Sequence, residues 1–209
     1  MTTEELHVAG GRLVVHRAEV PTAFLLLGHG AGGGIESFDL AALAAGLPAR
    51  GISVGRFEQP WRTAGRKVAG PPSSLDGPWR EALAAVPTGV PLVVGGRSAG
   101  ARVACRCFAP PALGIVALSF PLHPPGKPEK SRVAELRAVA APILFLQGSS
   151  DPMGKPRELE DACAGMADRT IIEVPGATHS LEPTKQVSAD ARTPLIVGEV
   201  MAFVAHLTA

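Results

Sequence analysis

Residues 93–104 read VVGGRSAGARVA, and this stretch decides the fold. Val93 and Val94 belong to an apolar, strand-like run, PLVVGG (91–96), and Ala101, Val103 and Ala104 open a helix-like stretch over 99–108. Between them Gly96, Arg97, Ser98, Ala99 and Gly100 fit the pattern G-x-S-x-G. A serine on a sharp strand-to-helix turn sits in strained backbone and projects its hydroxyl into a cleft. The residues two before and two after it must be small, because the helix start passes close to the strand end. The N–H of the next residue, Ala99, then faces an oxyanion forming on an attacked carbonyl, helped by the helix N-terminus. Alone, the stretch also reads as a glycine-rich connection with an incidental serine.

The surrounding chain supplies the context. Strand-like runs occur at 14–16 (within a probable N-terminal hairpin), 22–30, 52–57, 91–96, 113–120, 142–148 and 169–174. Helix-like stretches occur at 37–51, 77–86, 99–108, 130–139, 155–166 and 193–207. Ser37 is the N-cap and Gly51 the stop of the first helix, and Pro78 falls in the first turn of the second. Residues 58–75 read as an irregular loop. Apolar strands alternating with helices predict an α/β fold: a mostly parallel central sheet with helices on both faces. The whole of 1–209 reads as one domain. Ligands of such sheets bind beyond the carboxyl ends of the strands, so chemistry is sought there.

Five strand ends carry distinctive residues: GHGAGGG (28–34), RFEQPWR (56–62), GGRSAG (95–100), SSDP (149–152) and PGATHS (175–180). A serine hydroxyl needs a base, most often a histidine oriented by a carboxylate. Of the six histidines, His7 and His16 fall in the hairpin and His206 near the end of the last helix. His29 and His123 follow other strands, whereas His179 follows the last strand. Asp151 ends the strand between the serine and histidine units. Asp-Pro is also an ordinary turn former. Ser98, Asp151 and His179 stand in the order this architecture uses, and they are the candidate catalytic residues.

GHGAGGG has two readings. As G-x-G-x-x-G (Gly28, Gly30, Gly33) it meets a weak dinucleotide fingerprint, which needs an acid at the end of the next strand; that strand ends Gly55-Arg56-Phe57, with Glu58 just beyond. As an H-G-rich loop it supplies a second oxyanion N–H, from Ala31 with Gly32 as the alternate, and this reading also accounts for Ser98, Asp151 and His179.

These residues carry a resemblance. Over nearly its full length the chain resembles the α/β-hydrolases, and through RFEQPW, PLHPPGKPE, GSSDP and GATHSL it is similar to their dienelactone-hydrolase-like branch. Some relatives in that branch are subunits of chromatin-associated complexes. The resemblance implies a Ser98–Asp151–His179 triad and cleavage of an ester, thioester or related acyl bond, with no cofactor and no metal. It also leaves open a non-catalytic interaction protein on the same scaffold. Dienelactone hydrolase itself uses cysteine where Ser98 stands, so its substrate is not carried over. Between 118–120 and the helix near 132 there is no room for a large cap domain. PLHPPGKPEK (121–130) reads as a short rim stiffened by its prolines. Arg56, Arg62, Arg66 and Lys67 against Glu58 give the 56–67 loop a local charge of 4 − 1 = +3, read as a solvated loop or as attraction for an acidic substrate. His29, Arg56, Trp61, Phe120 and His123 are candidate substrate contacts. Trp61, Trp79 and Phe120 serve equally well as core.

Composition bounds the rest. Of 209 residues 46% are hydrophobic and 19% charged, a globular balance able to bury about 70% of the unfolded surface. A formal net charge of +1 argues against general nucleic-acid binding. Three cysteines without zinc spacing suggest reduced thiols and a cytoplasmic protein. MTTEELHVAG lacks a signal-peptide pattern, and no apolar run approaches the roughly 20 residues of a membrane helix. The expected partner is a small acyl substrate. The oligomeric state is left open.

Overall fold

The computed structural model describes residues 2–86 and 89–209. Among these, eight strands form one sheet: β1 (Thr2–Val8), β2 (Gly11–Arg17), β3 (Ala23–Gly28), β4 (Ile52–Glu58), β5 (Leu92–Arg97), β6 (Ala112–Leu118), β7 (Ile143–Gly148) and β8 (Arg169–Val174). Their order is β1-β2-β4-β3-β5-β6-β7-β8. The β1–β2 and β2–β4 pairings are antiparallel and the others parallel. From β3 the chain moves outward to β4 on one side and then returns to β5 on the other. Strand order therefore reverses between β3 and β5, and the crevice at such a switch point is the place for a ligand.

Among the described residues seven α-helices accompany the sheet: α1 (Phe38–Gly46), α2 (Pro60–Thr63), α3 (Asp76–Ala84), α4 (Ala99–Arg106), α5 (Val133–Arg137), α6 (Pro156–Ala162) and α7 (Ala189–Thr208). Side chains alternate along a strand, so each central strand feeds two cores. Leu25 and Leu27 of β3 join Val93, Val116, Leu144 and Leu146 beneath α1 and α7. Phe24 and Leu26 join Val94, Ile115 and Phe145 beneath Trp79 of α3 and Val103 of α4. This double burial is why the central strands are apolar throughout.

Several boundaries differ from the sequence reading for local reasons. The hairpin is longer than 14–16, since β1 and β2 pair along seven residues each, turned by Ala9 and Gly10 at φ 56° and 73°. The first helix stops at Gly46. Pro48 interrupts the backbone hydrogen bonding, a 3-10 turn follows over Pro48–Arg50, and Gly51 at φ 83° ends it. Ser37 stands at the N-cap of α1, yet its hydroxyl makes no capping bond. The 58–75 loop holds α2 and a 3-10 turn over Pro72–Leu75, and Trp61 and Leu75 anchor it to the core. The last helix begins a turn earlier than 193, because the Ser188 hydroxyl accepts the Ala191 N–H and starts it ahead of Pro194. Residues 119–132, between β6 and α5, hold only a 3-10 turn over Pro128–Lys130, and the described residues form no large cap domain. No helix among the described residues is long and apolar enough to cross a membrane.

One contact sets how α4 meets the sheet. A Cβ on Gly100 would lie 2.2 Å from the Gly28 carbonyl oxygen, and one on Gly96 would lie 2.4 Å from the same atom. Strand end and helix start are in backbone contact, and only glycine fits at both positions. Gly100→Ala is expected to lower unfolding free energy by roughly 3 kcal/mol in a urea titration, an overpacking cost without a flexible neighbour to yield. Gly198→Ala, in α7 with nothing within 4 Å of the new Cβ, is expected to raise it by about 0.5–1 kcal/mol.

Candidate active site

The tight approach of α4 to β3 puts Ser98 on the connecting turn. Its backbone lies at φ 53°, ψ −110°, outside the regions a serine favours, a conformation that costs on the order of 1–3 kcal/mol. Neighbouring bonds hold it there. Ser98 N–H donates to the Leu118 carbonyl at 2.9 Å, and the Ser98 carbonyl accepts Arg102 N–H at 3.1 Å as the first bond of α4. The hydroxyl is thereby turned toward the loop that follows β8.

That loop brings His179. Its Nε2 lies 2.9 Å from Ser98 Oγ, and its Nδ1 lies 2.8 Å from Asp151 Oδ2. Beside a carboxylate, Nδ1 carries the proton and donates, so Nε2 accepts from the serine O–H. Asp151, just past β7, is 1% exposed. Its Oδ1 accepts the Met153 N–H at 2.8 Å, and its Oδ2 also accepts from Gln147 Nε2 at 2.9 Å. Buried ionised oxygens need such donors. The three residues singled out from strand ends are thus joined in one hydrogen-bonded chain.

Ala31 and Ala99, the residue after Ser98, both line a small cavity of about 90 Å³, which Ser98, Asp151 and His179 do not line. As the first residue of α4, Ala99 has an N–H with no carbonyl one turn back to bond. Gly32, the alternate to Ala31, is exposed, with open space where a Cβ would be.

The sequence profile of the family described as "Alpha/beta hydrolase domain" matches residues 21–205. The chain belongs to that family. Solved structures of similar fold include an alpha-beta serine hydrolase homologue from Coxiella burnetii, with TM-score 0.75, 14% identity, and coverage of 95% of this chain and 97% of that one. A Thermus thermophilus protein gives 0.69 and 22%, over 99% and 98% of the two chains. A Xanthomonas campestris serine hydrolase described as lacking a lid gives 0.67 and 20%, over 95% and 94%.

In this alpha/beta hydrolase four of the five expected substrate contacts, His29, Arg56, Phe120 and His123, are engaged in internal contacts, and the fifth, Trp61, lines a cavity. His29 is 3% exposed. Its Nδ1–H donates to the Gly30 carbonyl at 2.8 Å, and its Nε2 accepts the Gln59 N–H at 3.0 Å, so the ring ties the 28–34 loop to the end of β4. Arg56 points into the protein, donating to the Ile35 carbonyl, Glu36 and His16 Nε2. Phe120 lies in the core, edge-on to Phe145. His123 is held by the Pro124 carbonyl and Glu158, and fixes the 121–130 rim against α6. Trp61 packs on His29 and lines an adjoining cavity of about 210 Å³ with Arg66, Gly70 and Leu75. Of the charges in the 56–67 loop, Arg56 is spent internally on Glu36, and Glu58, the acid a bound ribose would need, pairs with Arg12 at 3.2 Å.

Three supporting residues were not foreseen. Arg97, the variable residue before the serine, donates to the His179 carbonyl at 3.0 Å and lies 3.2 Å from the carboxylate of Asp39, which is fully buried. Burial raises the Asp39 pKa, and the Arg97 charge opposes that rise. Asp39 is the one charged side chain in FDLAALAAG (38–46), an anomaly that could have flagged it. Gln147 is likewise a lone polar residue in the buried strand ILFLQG. Its amide also donates to the carbonyls of Phe120 and Gly154, clamping the turn that presents Asp151.

The His29 bonds require a neutral ring, and burial lowers its pKa. A base whose folded pKa is depressed takes up protons more readily when unfolded, so stability present above the ordinary value of about 6.5 is lost as pH falls through and below it. His16, lowered by burial and by the Arg56 charge, adds the same sign. Urea titrations at pH 8 and pH 5.5 are expected to show wild type losing stability at the lower pH. His29→Gln and His16→Gln are each expected to lose less.

Proposed function

We propose that the protein is a cofactor-independent serine hydrolase that cleaves an ester, thioester or related acyl bond through an acyl-enzyme. The observation that carries this reading is the strained Ser98 with its Oγ 2.9 Å from His179 Nε2, while Asp151 holds the opposite ring nitrogen at 2.8 Å. Ser98 Oγ attacks the acyl carbonyl as His179 takes its proton. The tetrahedral oxyanion is met by the N–H groups of Ala99 and Ala31. His179 then protonates the leaving alcohol or thiol. Water, deprotonated by the same imidazole, releases the acid and restores Ser98. Asp151 stays ionised, keeps Nδ1 protonated and offsets the imidazolium charge. Each oxyanion donor is typically worth about 3 kcal/mol of barrier.

Arg97 and Gln147 are positioning residues in this scheme, acting through His179 and Asp151. We also read the chain as part of the dienelactone-hydrolase-like branch on RFEQPW and PLHPPGKPE, with serine in place of the branch's cysteine. Its three unpaired, buried cysteines support a cytoplasmic setting.

Intact-mass measurement after treatment with a fluorophosphonate is expected to find one adduct, on Ser98. The adduct should be absent in Ser98→Ala and slowed at least about 10³-fold in His179→Ala. Asp151→Asn, which leaves Nδ1 in the wrong tautomer, is expected to reduce ester turnover about 10⁴-fold. Unlabelled, fully folded wild type, equal to Ser98→Ala across an ester panel, would overturn the reading in favour of a non-catalytic interaction protein.

A further inference from the structure

With Arg56 and Glu58 paired off, the segment that follows β4 keeps its cations without an anion. Residues 59–75 contain no aspartate or glutamate. Among the described residues Arg62, Arg66 and Lys67 pair with no carboxylate, and all three are exposed. One of them borders a cavity. Arg66, Gln59, Trp61 and Ser74 line the space of about 210 Å³ beside α2, and Gly70, Leu75 and three prolines complete its wall. Two polar groups on this wall are buried without a partner. Gln59 and Trp61 are each 4% exposed. The Gln59 amide nitrogen donates to the Leu75 carbonyl at 3.1 Å, which leaves its oxygen as an acceptor with no donor. The Trp61 indole N–H has no acceptor. Ser74 is already used, its hydroxyl donating to the Pro71 carbonyl at 2.7 Å. Buried donors and acceptors are almost always paired, so an orphan of each kind on one cavity wall calls for a partner from outside the chain.

We propose that this cavity is a binding site for a small cyclic carboxylate that also carries a hydroxyl group. A hydroxyl both donates and accepts, so one such group serves the Gln59 oxygen and the Trp61 N–H together. Arg66 is the one charged side chain among the lining residues. Its guanidinium takes a carboxylate through two parallel N–H bonds. The proline, leucine and indole surfaces are rigid and apolar, and they suit a ring. A volume of about 210 Å³ holds roughly seven small groups at about 30 Å³ each. That admits one ring with its substituents and excludes a long chain. Trp61 packs on His29 of the 28–34 loop, and Gly70 and Leu75 also border the cavity of Ala31 and Ala99. A ligand here sits behind the HG-rich loop. Neither Ser98 nor His179 lines the space, so the proposal stands apart from the serine-hydrolase reading.

The indole N–H of Trp61 is the direct reporter. The protein has two tryptophans, and Trp61→Phe assigns the resonance in an NMR spectrum of isotope-labelled protein. Titration with 3- and 4-hydroxybenzoate is expected to move that resonance saturably for at least one isomer. Benzoate, which lacks the hydroxyl, and phenol, which lacks the carboxylate, are each expected to bind at least about 10-fold more weakly than that isomer. Arg66→Gln is expected to weaken the hydroxybenzoate at least about 10-fold and to leave phenol unchanged. Lys67→Gln removes only a charge outside the cavity and is expected to cost less than about 3-fold at 0.15 M salt. Absence of a saturable Trp61 shift with both isomers would overturn the assignment. So would benzoate or phenol binding as tightly, or equal losses from Arg66→Gln and Lys67→Gln. Fluorophosphonate labelling of Ser98 is independent of this result, so failure of the cavity and failure of the nucleophile are told apart.

Discussion

The carbonyl of Gly28 is the contact on which the site turns. It is approached by backbone at Gly96 and Gly100, with no room for a Cβ at either. Because α4 begins so close to β3, the connecting residue must reverse direction in one step, and Ser98 takes a positive φ to do it. The same approach places the first N–H of α4 near the loop that leaves β3. Ala31 and Ala99, from two separate segments, then line one cavity. Close packing, rather than any attraction involving the serine, positions the hydroxyl. The sheet order supplies the opening, since β3 and β5 flank the point where the chain changes direction.

Around this contact the protein uses buried polar residues as braces. Arg97 links Asp39 in α1 to the carbonyl of His179, so the histidine loop is tied to the layer beneath it. Gln147 ties Asp151 to its own turn. His29 ties the 28–34 loop to Gln59. Each brace buries a group that would be costly alone and is tolerable only with its partners in place. Ala177 and Leu181 anchor the loop of His179 in the core and Ile35 anchors the loop of Ala31, and these bonds hold the stretches between.

The parts legible in the sequence were those whose signal is local. G-x-S-x-G, the HG-rich loop, Asp151 before proline and His179 after the last strand each sit at a carboxyl end of a strand, where such sheets bind their ligands. The direction of a side chain within a strand was harder to read. Arg56 follows the pleat to the α1 side of β4, where the Ile35 carbonyl and Glu36 await it. Phe120 and His123 turn inward for reasons that depend on β7 and α6, distant in sequence. Arg102 and Arg106 look like the solvated face of a short helix until the 69–75 segment folds over them. Helix ends were misjudged where capping competed with proline, as at Ser188 and Pro194.

The most direct test of the account is a crystal structure of the protein phosphonylated at Ser98, in which the phosphoryl oxygen marks where the oxyanion forms. The account predicts that oxygen within about 2.7–3.1 Å of both the Ala99 and Ala31 nitrogens, with His179 still bridging Ser98 and Asp151. A phosphoryl oxygen turned away from those two nitrogens and toward solvent would contradict it.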